Sequence, residues 1–235
     1  MKNTIIHFET LPSTNAYLKE HYEECSSFTF VQADYQSEGR GRNDRKWESN
    51  NKDNLLFSLL IKDEQILKDF RLLSMGSAYV VAKYLETLGL KDVSIKWPND
   101  VYVNGKKICG ILLEGSIPTY LVIGIGLNVN QKEYPNDLRR PATSISLEKG
   151  KDFDIQTLLE TLSNELTAFI SSFKENMKSC EEFIASHNFL AGKLVKTNEK
   201  TGVVVGISPD FGLLLDVNGQ IETISSGEID FIFTK

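Results

Sequence analysis

The sequence has little of what marks membrane or secreted proteins. No apolar run in its 235 residues approaches the roughly 20 residues that a bilayer-spanning helix needs. The N-terminal segment, MKNTIIHFETLPS, has only a short apolar run and no small-residue cleavage site, so we predict no signal peptide. Three cysteines lie far apart without a CxxC pair: Cys25, Cys109 and Cys180. We therefore expect a cytoplasmic protein with reduced thiols and no contact with a membrane.

Residues for several common chemistries are also missing. The histidines are scattered, at His7, His21 and His187, which argues against a histidine-built metal site. There is no GxxxxGKS/T segment, so a nucleotide site would not be a P-loop. No Ser-His-Asp or Cys-His arrangement is apparent either.

The composition is that of a globular protein, with 41% apolar and 25% charged residues. Residues 151–235 contain 7 basic and 13 acidic side chains and hold the whole net charge of −6, whereas residues 1–150 balance at 19 and 19. Two local groups of cations stand out, one in Gln36–Trp47 and one in Lys96–Lys107. Two local clusters of positive charge in an acidic chain indicate a confined anion site rather than a track for nucleic acid.

Alternating and helical patterns predict strands at 5–9, 28–35, 55–61, 93–97, 101–103, 107–114 and 120–130, and helices at 14–24, 70–88, 153–177 and 180–189. Asn104-Gly105 predicts a two-residue hairpin turn. Residues 36–54 form a polar loop of about 19 residues, a length that usually indicates function. Short strands after Gly192 predict a small β module, so we expect two domains, 1–189 and 190–235.

Four segments have residues suited to ligand chemistry. Gly39–Trp47 combines glycines, which allow close backbone approach, with arginines that pair with phosphate or carboxylate; a basic RNA-binding loop is the alternative. Lys96–Asp100 and the returning Lys107 place lysines near a carboxylate, beyond what a simple turn requires. Gly124–Asn130 is a glycine-bearing strand whose Asn128 can pair with adenine, or simply a core strand. Ser13-Thr14-Asn15 is by default a helix cap, whose polar groups can also face a pocket.

The ordered set Ser-Thr-Asn, Gln-x-x-Gly-Arg-Gly-Arg-x-x-Arg-Lys-Trp, Lys-Trp-Pro-Asn-Asp and Gly-x-Gly-x-Asn, within residues 1–135, resembles the biotin protein ligase family. The resemblance implies an α+β fold: a mixed-sheet catalytic domain with helices on one face, similar to class II aminoacyl-tRNA synthetase cores, and a small C-terminal SH3-like β-barrel. It also implies the reaction, in which biotin and ATP with Mg²⁺ give biotinyl-5′-AMP, from which biotin passes to a lysine of a biotin carboxyl carrier protein or domain.

The resemblance further implies the roles of individual residues. The expected biotin-binding residues are Ser13, Thr14, Asn15, Gln36, Gly39, Arg40, Gly41, Arg42, Lys107 and Gly110. The expected ATP- or adenylate-binding residues are Arg42, Arg45, Trp47, Lys96, Asn99, Gly126 and Asn128. The expected catalytic residues are Lys107, Arg42 and Arg45, and Asp100 is the candidate for metal or phosphate positioning.

Two departures and two alternatives accompany this interpretation. Asp44 stands where the family usually has glycine, which we expect to loosen loop closure. The first strand begins almost at the N-terminus, so we expect no operator-binding domain and no DNA partner, and either a monomer or a homodimer. A lipoate or octanoate transferase of related fold is the nearest alternative. A non-enzymatic nucleic-acid-binding module using the arginine loop is the alternative of another class.

Overall fold

The larger of two sheets forms the body of the molecule. The structure is a computed structural model and describes residues 3–43, 45–47, 49, 52–135, 138, 140–197, 200–227 and 229–231. Seven strands have the order β1-β2-β3-β7-β6-β5-β4. They are β1 (Thr4–Leu11), β2 (Thr29–Gln36), β3 (Asn54–Ile61), β4 (Val93–Lys96), β5 (Asp100–Val103), β6 (Lys106–Ser116) and β7 (Tyr120–Asn128). Because β1 and β2 are parallel and the other neighbours antiparallel, the expected mixed sheet is confirmed.

Long helices cover one face of this sheet. The helices are α1 (Thr14–Glu20), α2 (Glu64–Leu67), α3 (Leu73–Thr87), α4 (Ile145–Lys149), α5 (Ile155–Ser171) and α6 (Phe173–Ser186), with a 3₁₀ turn at Phe70–Leu72. The main core joins α3, α5 and α6 to the sheet. Gly76 lets α3 approach α5 closely, since a Cβ there would lie 2.7 Å from the Phe169 ring. The expected α+β layering is therefore confirmed for these three helices.

The short helix α1 packs on the opposite face. Its Leu18 forms a separate apolar cluster with Val31, Leu60 and Val122, whereas Phe57 and Leu59 belong to the main core. Successive residues of a strand point to opposite faces, so β3 divides its side chains between the two clusters. The candidate site lies on the same face as α1.

The helical region after residue 150 divides differently from the sequence prediction. The predicted helix 153–177 is two helices that meet at Ser172, whose backbone (φ −119°, ψ 35°) is not helical. The hydroxyl of Ser172 donates to the carbonyl of Ala168 and accepts from the side chain of Asn176, so one serine ends α5 and starts α6. No proline or glycine marks this break. The helical periodicity of the sequence therefore predicted one continuous helix across it.

The C-terminal module is a five-stranded antiparallel sheet in the order β11-β10-β9-β8-β12. Its strands are β8 (Leu194–Lys196), β9 (Thr201–Ile207), β10 (Leu213–Val217), β11 (Gln220–Ile224) and β12 (Asp230–Phe231). In the described residues β11 and β12 do not pair, so the expected barrel is an open sheet. The indole of Trp97 donates to the carbonyl of Phe211 at 2.7 Å and fastens the module to the large sheet. No helix in the described ranges is long and apolar enough to cross a membrane.

Candidate functional site

A cavity of about 330 Å³ lies on the α1 side of the large sheet. The structure brings most of the predicted site residues to its wall. These are Ser13, Thr14, Asn15, Gln36, Arg40, Gly41, Arg42, Arg45, Trp47, Lys96, Asn99, Asp100, Lys107, Gly110 and Gly126. Gly39 and Asn128 do not line it. The side chain of Asn128 is buried and its Nδ2 donates to the carbonyl of Thr143 at 3.0 Å, and the adenine contact stays a prediction.

One end of the cavity is polar and uncharged, and the start of α1 builds it. Ser13 is the N-cap, and its hydroxyl accepts from the backbone of Ala16. The backbone N–H of Thr14 donates to Gln36 Oε1 at 2.7 Å, and Thr14 Oγ1 lies 2.6 Å from Ser58 Oγ. The default interpretation of Ser13 as a helix cap is thus confirmed, while Thr14 lines the pocket through the same short turn.

An ionised carboxylate supports this polar end from behind, although no sequence motif pointed to it. Asn15 Nδ2 donates to Glu114 Oε2 at 2.8 Å, and Lys19 Nζ lies 2.5 Å from Glu114 Oε1. Burial acts to raise the pKa of Glu114. The hydrogen bonds from Lys19 and Asn15, with the charges of Lys19 and Arg40, outweigh it and leave the pKa below its ordinary value. Glu114 is therefore a carboxylate at neutral pH.

The arginine-rich segment is a tight hairpin rather than an open loop. Arg40 pairs with Lys46, Gly41 N donates to the carbonyl of Arg45 at 2.6 Å, and Trp47 N donates to the carbonyl of Gly39 at 2.9 Å. A Cβ on Gly39 would lie 2.6 Å from the Trp47 carbonyl oxygen. Gly39 thus allows the two arms to approach, which explains its absence from the cavity wall. Asp44 lies outside the described residues.

Glycines form the floor of the cavity, and the side chain of Trp47 lies across them. Across the sheet, Gly126 of β7 pairs with Gly110 of β6, which pairs with Asp100 of β5. A Cβ on Gly126 would lie 2.6 Å from the Trp47 ring, and one on Gly110 2.8 Å from it. A Cβ on Gly124 would collide with Asn15 Oδ1, so this glycine similarly makes room for the side chain of Asn15. Gly110 and Gly126 stay predicted ligand-binding residues, and the structure shows that these glycines also make room for side chains of the same chain.

Lys107 reaches the site through an irregularity in β6. Tyr102 pairs with Lys107 and Val101 with Cys109, so Ile108 is an extra residue in the strand. Ile108 and Cys109 are both buried in the main core. The bulge thereby returns Lys107 to the face that carries Gly110. Its Nζ lies 2.7 Å from Asp100 Oδ1 and 5.3 Å from the centre of the Trp47 ring, as the predicted hairpin return requires.

Comparison with known proteins agrees with this geometry. Residues 7–128 match the sequence profile of the biotin/lipoate A/B protein ligase family, and residues 193–232 match that of the biotin protein ligase C-terminal domain. The chain belongs to the biotin/lipoate A/B protein ligase family. It is 32% identical to the bifunctional ligase/repressor of Escherichia coli, over 93% of this chain and 71% of that protein. It is 29% identical to the biotin–[acetyl-CoA-carboxylase] ligase of Mycobacterium tuberculosis, over 84% of this chain and 76% of that protein.

A solved structure in the same family has the same architecture throughout. The biotin protein ligase of Aquifex aeolicus, in complex with biotin and ATP, superposes with a TM-score of 0.87 at 35% identity and covers 100% of both chains. A ligase from Leishmania major with biotinyl-5-AMP, at 22% identity and a TM-score of 0.64, shares the fold. The comparison extends over the C-terminal module as well as the larger sheet.

In this member of the ligase family, the C-terminal module contributes to the cavity, which sequence reasoning missed. Ile229 lines the wall, Arg42 Nη2 donates to the carbonyl of Gly227 at 3.0 Å, and Arg140 Nη2 donates to that of Ile229 at 2.9 Å. Arg140 lies between β7 and α4, in a part of the sequence where we recognised no motif. The other wall residues that we did not predict are Lys46, Phe57, Pro98, Ile111, Leu112, Gly124, Ile125 and Leu138.

The cavity is rich in cations and poor in metal ligands. In the described part of the chain no three His, Cys, Asp or Glu residues cluster as a metal site. Asp100 is the only acidic residue among the described wall residues, and it pairs with Lys107. Lys96 lines the wall with only 7% of its surface exposed. Asn99 Nδ2 donates to the carbonyl of Ile111 at 2.6 Å, so its amide holds the strand connection.

Proposed function

We propose that this protein is a biotin protein ligase. It activates biotin with ATP as biotinyl-5′-AMP, with release of pyrophosphate, and transfers the biotinyl group to a lysine of a biotin carboxyl carrier protein or domain. The observation that carries the proposal is one cavity with two chemically different ends. Ser13, Thr14 and Gln36 provide uncharged hydrogen-bonding groups at one end, and a set of cations lines the rest of the wall: Arg40, Arg42, Arg45, Lys46, Lys96, Lys107 and Arg140.

The first half-reaction brings two anions together. The biotin carboxylate attacks the α-phosphorus, a new carboxyl–phosphate bond forms, and the bond to pyrophosphate breaks with the electron pair leaving on pyrophosphate. Cations near the reacting oxygens offset the repulsion and stabilise the charge that develops. We assign this role to Lys107, Arg42 and Arg45, because all three line the cavity beside the glycine floor.

The second half-reaction needs no nucleophile from this chain. The amine of the carrier lysine attacks the acyl carbon of the mixed anhydride, an amide bond forms, and AMP leaves with the bonding pair. Catalysis here consists of holding the adenylate, keeping water out and offering the acyl carbon in a fixed orientation. Trp47 and the arginine hairpin are the parts that exclude water in this proposal, since they already lie across the floor.

Magnesium is proposed to enter with ATP. Protein-bound Mg²⁺ usually has one or two carboxylate ligands together with substrate phosphates. Asp100 fits as the single carboxylate, with Lys107 beside it to hold the phosphate. The bound ion would supply further screening of phosphate charge.

The proposal extends to the organisation of the chain. We place a domain boundary between 189 and 190, because Phe189 still donates to the backbone of Ile95 whereas Gly192 already bonds to Val204. The catalytic domain would be 1–189 and the C-terminal domain 190–235. We propose a cytoplasmic enzyme acting on carboxylase carrier domains without a DNA partner, as a monomer or homodimer.

A mass-shift assay with ATP, Mg²⁺ and a biotin carboxyl carrier domain tests the function. With biotin, the carrier gains one biotinyl group on its acceptor lysine, and pyrophosphate is released even without carrier. With lipoate or octanoate, the carrier or a lipoyl domain gains nothing. Labelling by lipoate alone would assign the chain to the lipoate branch of the family. Salt-sensitive binding to RNA without any labelling would instead favour the nucleic-acid alternative.

A further inference from the structure

A second cavity, of about 410 Å³, lies where the start of α5 meets the large sheet, and we call it the α5 cavity. None of the residues described on its wall lines the cavity of the candidate site. The wall residues are His7, Gln32, Asp34, Lys52, Asn54, Asn130, Phe153, Asp154, Ile155 and Gln156. The proposed reaction uses none of them, so the α5 cavity needs an explanation of its own.

Two asparagines on this wall are already bound to the protein. Asn130 exchanges two hydrogen bonds with the backbone of Phe153. The amide of Asn54 donates to the side chain of Gln131 and accepts from the backbone N–H of Val129. These bonds join the chain after β7 to the start of α5 and to β3, so both asparagines serve the fold.

The acceptor oxygen of Gln32 has no such role. Only 3% of the residue is exposed, and among the described residues no donor lies within hydrogen-bond distance of its Oε1. A buried acceptor without a donor destabilises the protein, and buried polar groups in folded proteins nearly all have a partner. Gln32 therefore calls for a donor from a bound molecule.

Two carboxylates on the same wall each have a second oxygen with no hydrogen bond among the described residues. Asp34 uses Oδ1 for His7 at 2.8 Å, and its Oδ2 lies 3.9 Å from Lys52 Nζ, which is beyond hydrogen-bond distance. Asp154 caps α5 with Oδ1, which accepts from the N–H and the hydroxyl of Thr157. These bonds lower the pKa of Asp154, so it is ionised at neutral pH. A helix start favours anions, but here a full negative charge already occupies it.

The groups left over are acceptors, so the matching ligand carries positive charge and N–H donors. A metal ion fits less well. His7, Asp34 and Asp154 all line the α5 cavity, yet in the described part of the chain no three such residues converge as a metal site. Because His7 and Asp34 are in contact, Asp154 must be the one that stands apart. The two carboxylates therefore call for two separate cationic groups.

The wall also indicates what joins the two groups. Gln32 and Asp34 are two positions apart on β2, so they point to the same side at a spacing of about 7 Å along the strand. Asp154 lies across from them, on the wall that α5 forms. Phe153 and Ile155 add apolar surface beside Asp154, which suits methylene groups.

We propose that the α5 cavity binds a linear aliphatic diamine, with one ammonium group at Gln32 and Asp34 and the other at Asp154. An ammonium group has three N–H donors, so the first can serve both Gln32 Oε1 and Asp34 Oδ2. The methylene chain packs on Phe153 and Ile155. This chemistry has two sources, a free diamine or neighbouring lysine side chains of a peptide. The inference does not depend on the proposed function.

Isothermal titration calorimetry of the full chain at low salt, without biotin or ATP, tests the site. We expect one site for 1,4-diaminobutane. Butylamine has the same chain length and one ammonium group, and it should bind about fivefold more weakly because it forms no pair with Asp154. An acetylated dilysine peptide distinguishes the sources. Tighter binding than that of 1,4-diaminobutane assigns the site to a peptide, and weaker binding assigns it to a free diamine.

Gln32→Met separates a ligand site from a part of the fold. Methionine has a similar shape without the acceptor, so the Kd for 1,4-diaminobutane should rise about tenfold. The Tm of the ligand-free variant should rise by about 2–4 °C, because a buried acceptor without a donor has been removed. A residue that served only the fold would give a lower Tm. An unchanged Kd, or a lower Tm with loss of biotin-dependent pyrophosphate release, would overturn the inference.

Asp154→Asn tests the second ammonium position. Asparagine caps a helix as well as aspartate does, so the variant loses the charge and keeps the cap. The Kd for 1,4-diaminobutane should rise to about that of butylamine, and the Kd for butylamine should not change. Asp63→Asn is the matched control, because Asp63 caps α2 in the same way and does not line the α5 cavity.

Two outcomes contradict the site outright. Equal effects of Asp154→Asn and Asp63→Asn would show that diamines respond only to the net charge of the protein. Absence of binding of 1,4-diaminobutane by the wild type at millimolar concentration, or equal affinities for it and butylamine, overturns the inference and leaves the ligase function untouched.

Discussion

Substitution of Gly126 by alanine tests whether Trp47 covers the glycine floor in the working enzyme. The backbone at Gly126 has no positive φ, so alanine introduces only a methyl group and no backbone strain. That methyl would lie 2.6 Å from the Trp47 ring, whereas ordinary contacts begin near 3.4 Å. The ring must therefore move by about 0.8 Å, and the arginine hairpin attached to it must move too.

The size of the effect follows from that displacement. Misplacing a positioning group by about 1 Å can cost about 100-fold in rate, so we expect kcat/KM for ATP to fall about 10- to 100-fold in pyrophosphate release. Overpacking of this kind costs about 1–3 kcal/mol. Each kcal/mol lowers Tm by about 2–4 °C in a chain of this size. The activity loss should therefore far exceed the fraction of protein unfolded at the assay temperature.

Gly206→Ala is the matched control, because a Cβ there meets only Leu214 Cδ1, at 3.7 Å. It should leave rate and Tm near wild-type values. In Trp47→Ala the ring is gone, so adding Gly126→Ala should cost little more. Wild-type kcat/KM in a folded Gly126→Ala enzyme would refute the reasoning, since it would mean that the ring does not rest on the floor when ATP binds.

Three other predictions follow from the charges of the site. Lys107→Gln should lower kcat about 100- to 1,000-fold. Adding Asp100→Asn should restore part of kcat, because it removes the carboxylate left beside the phosphates. Equal rates in the single and double variants would contradict this prediction. Arg140→Ala, which frees the carbonyl of Ile229, should raise the KM for ATP with little change in that for biotin, measured by pyrophosphate release. Glu114→Gln should lower the free energy of unfolding at neutral pH, and the difference from the wild type should shrink as pH falls through and below 4.5 in urea titrations, because the folded pKa is lowered and the paired carboxylate is lost on protonation.

The segments that meet at the cavity were predictable because each has a local signature. The hairpin turn at Asn104-Gly105 has positive φ at both residues, as the Asn-Gly pair predicts. Lys107 and Asp100 were expected to approach because a tight turn joins their strands, and their atoms do meet at 2.7 Å. A short sequence separation fixes such contacts, so pattern and turn chemistry suffice to predict them.

The sequence did not reveal which groups occupy the space beside the glycines. It also did not reveal which residues hold the site residues in place. Gly39, Gly124 and Gly126 signal close approach, yet the pattern is the same whether a ligand or a side chain approaches. The structure shows Trp47 and Asn15 in that space. The role of Glu114 was equally hidden, because its partner Asn15 is 99 residues away and an isolated Glu in a strand has no signature.

The C-terminal module also contributes to the cavity in a way that the sequence did not reveal. It does so through backbone groups, although the module is acidic and the cavity cationic. Residues 190–235 have 4 basic and 6 acidic side chains, yet the module meets the cationic cavity through the backbone carbonyls of Gly227 and Ile229. A carbonyl orients a guanidinium by its dipole and adds no full negative charge of its own, so these two contacts help to hold Arg42 and Arg140 at the wall. A carboxylate in the same place would form a stronger pair and would compete with phosphate. Every residue has a backbone carbonyl, so the sequence does not indicate which carbonyl accepts from an arginine. This is why the part of the site that holds its arginines through backbone contacts could not be predicted from the sequence.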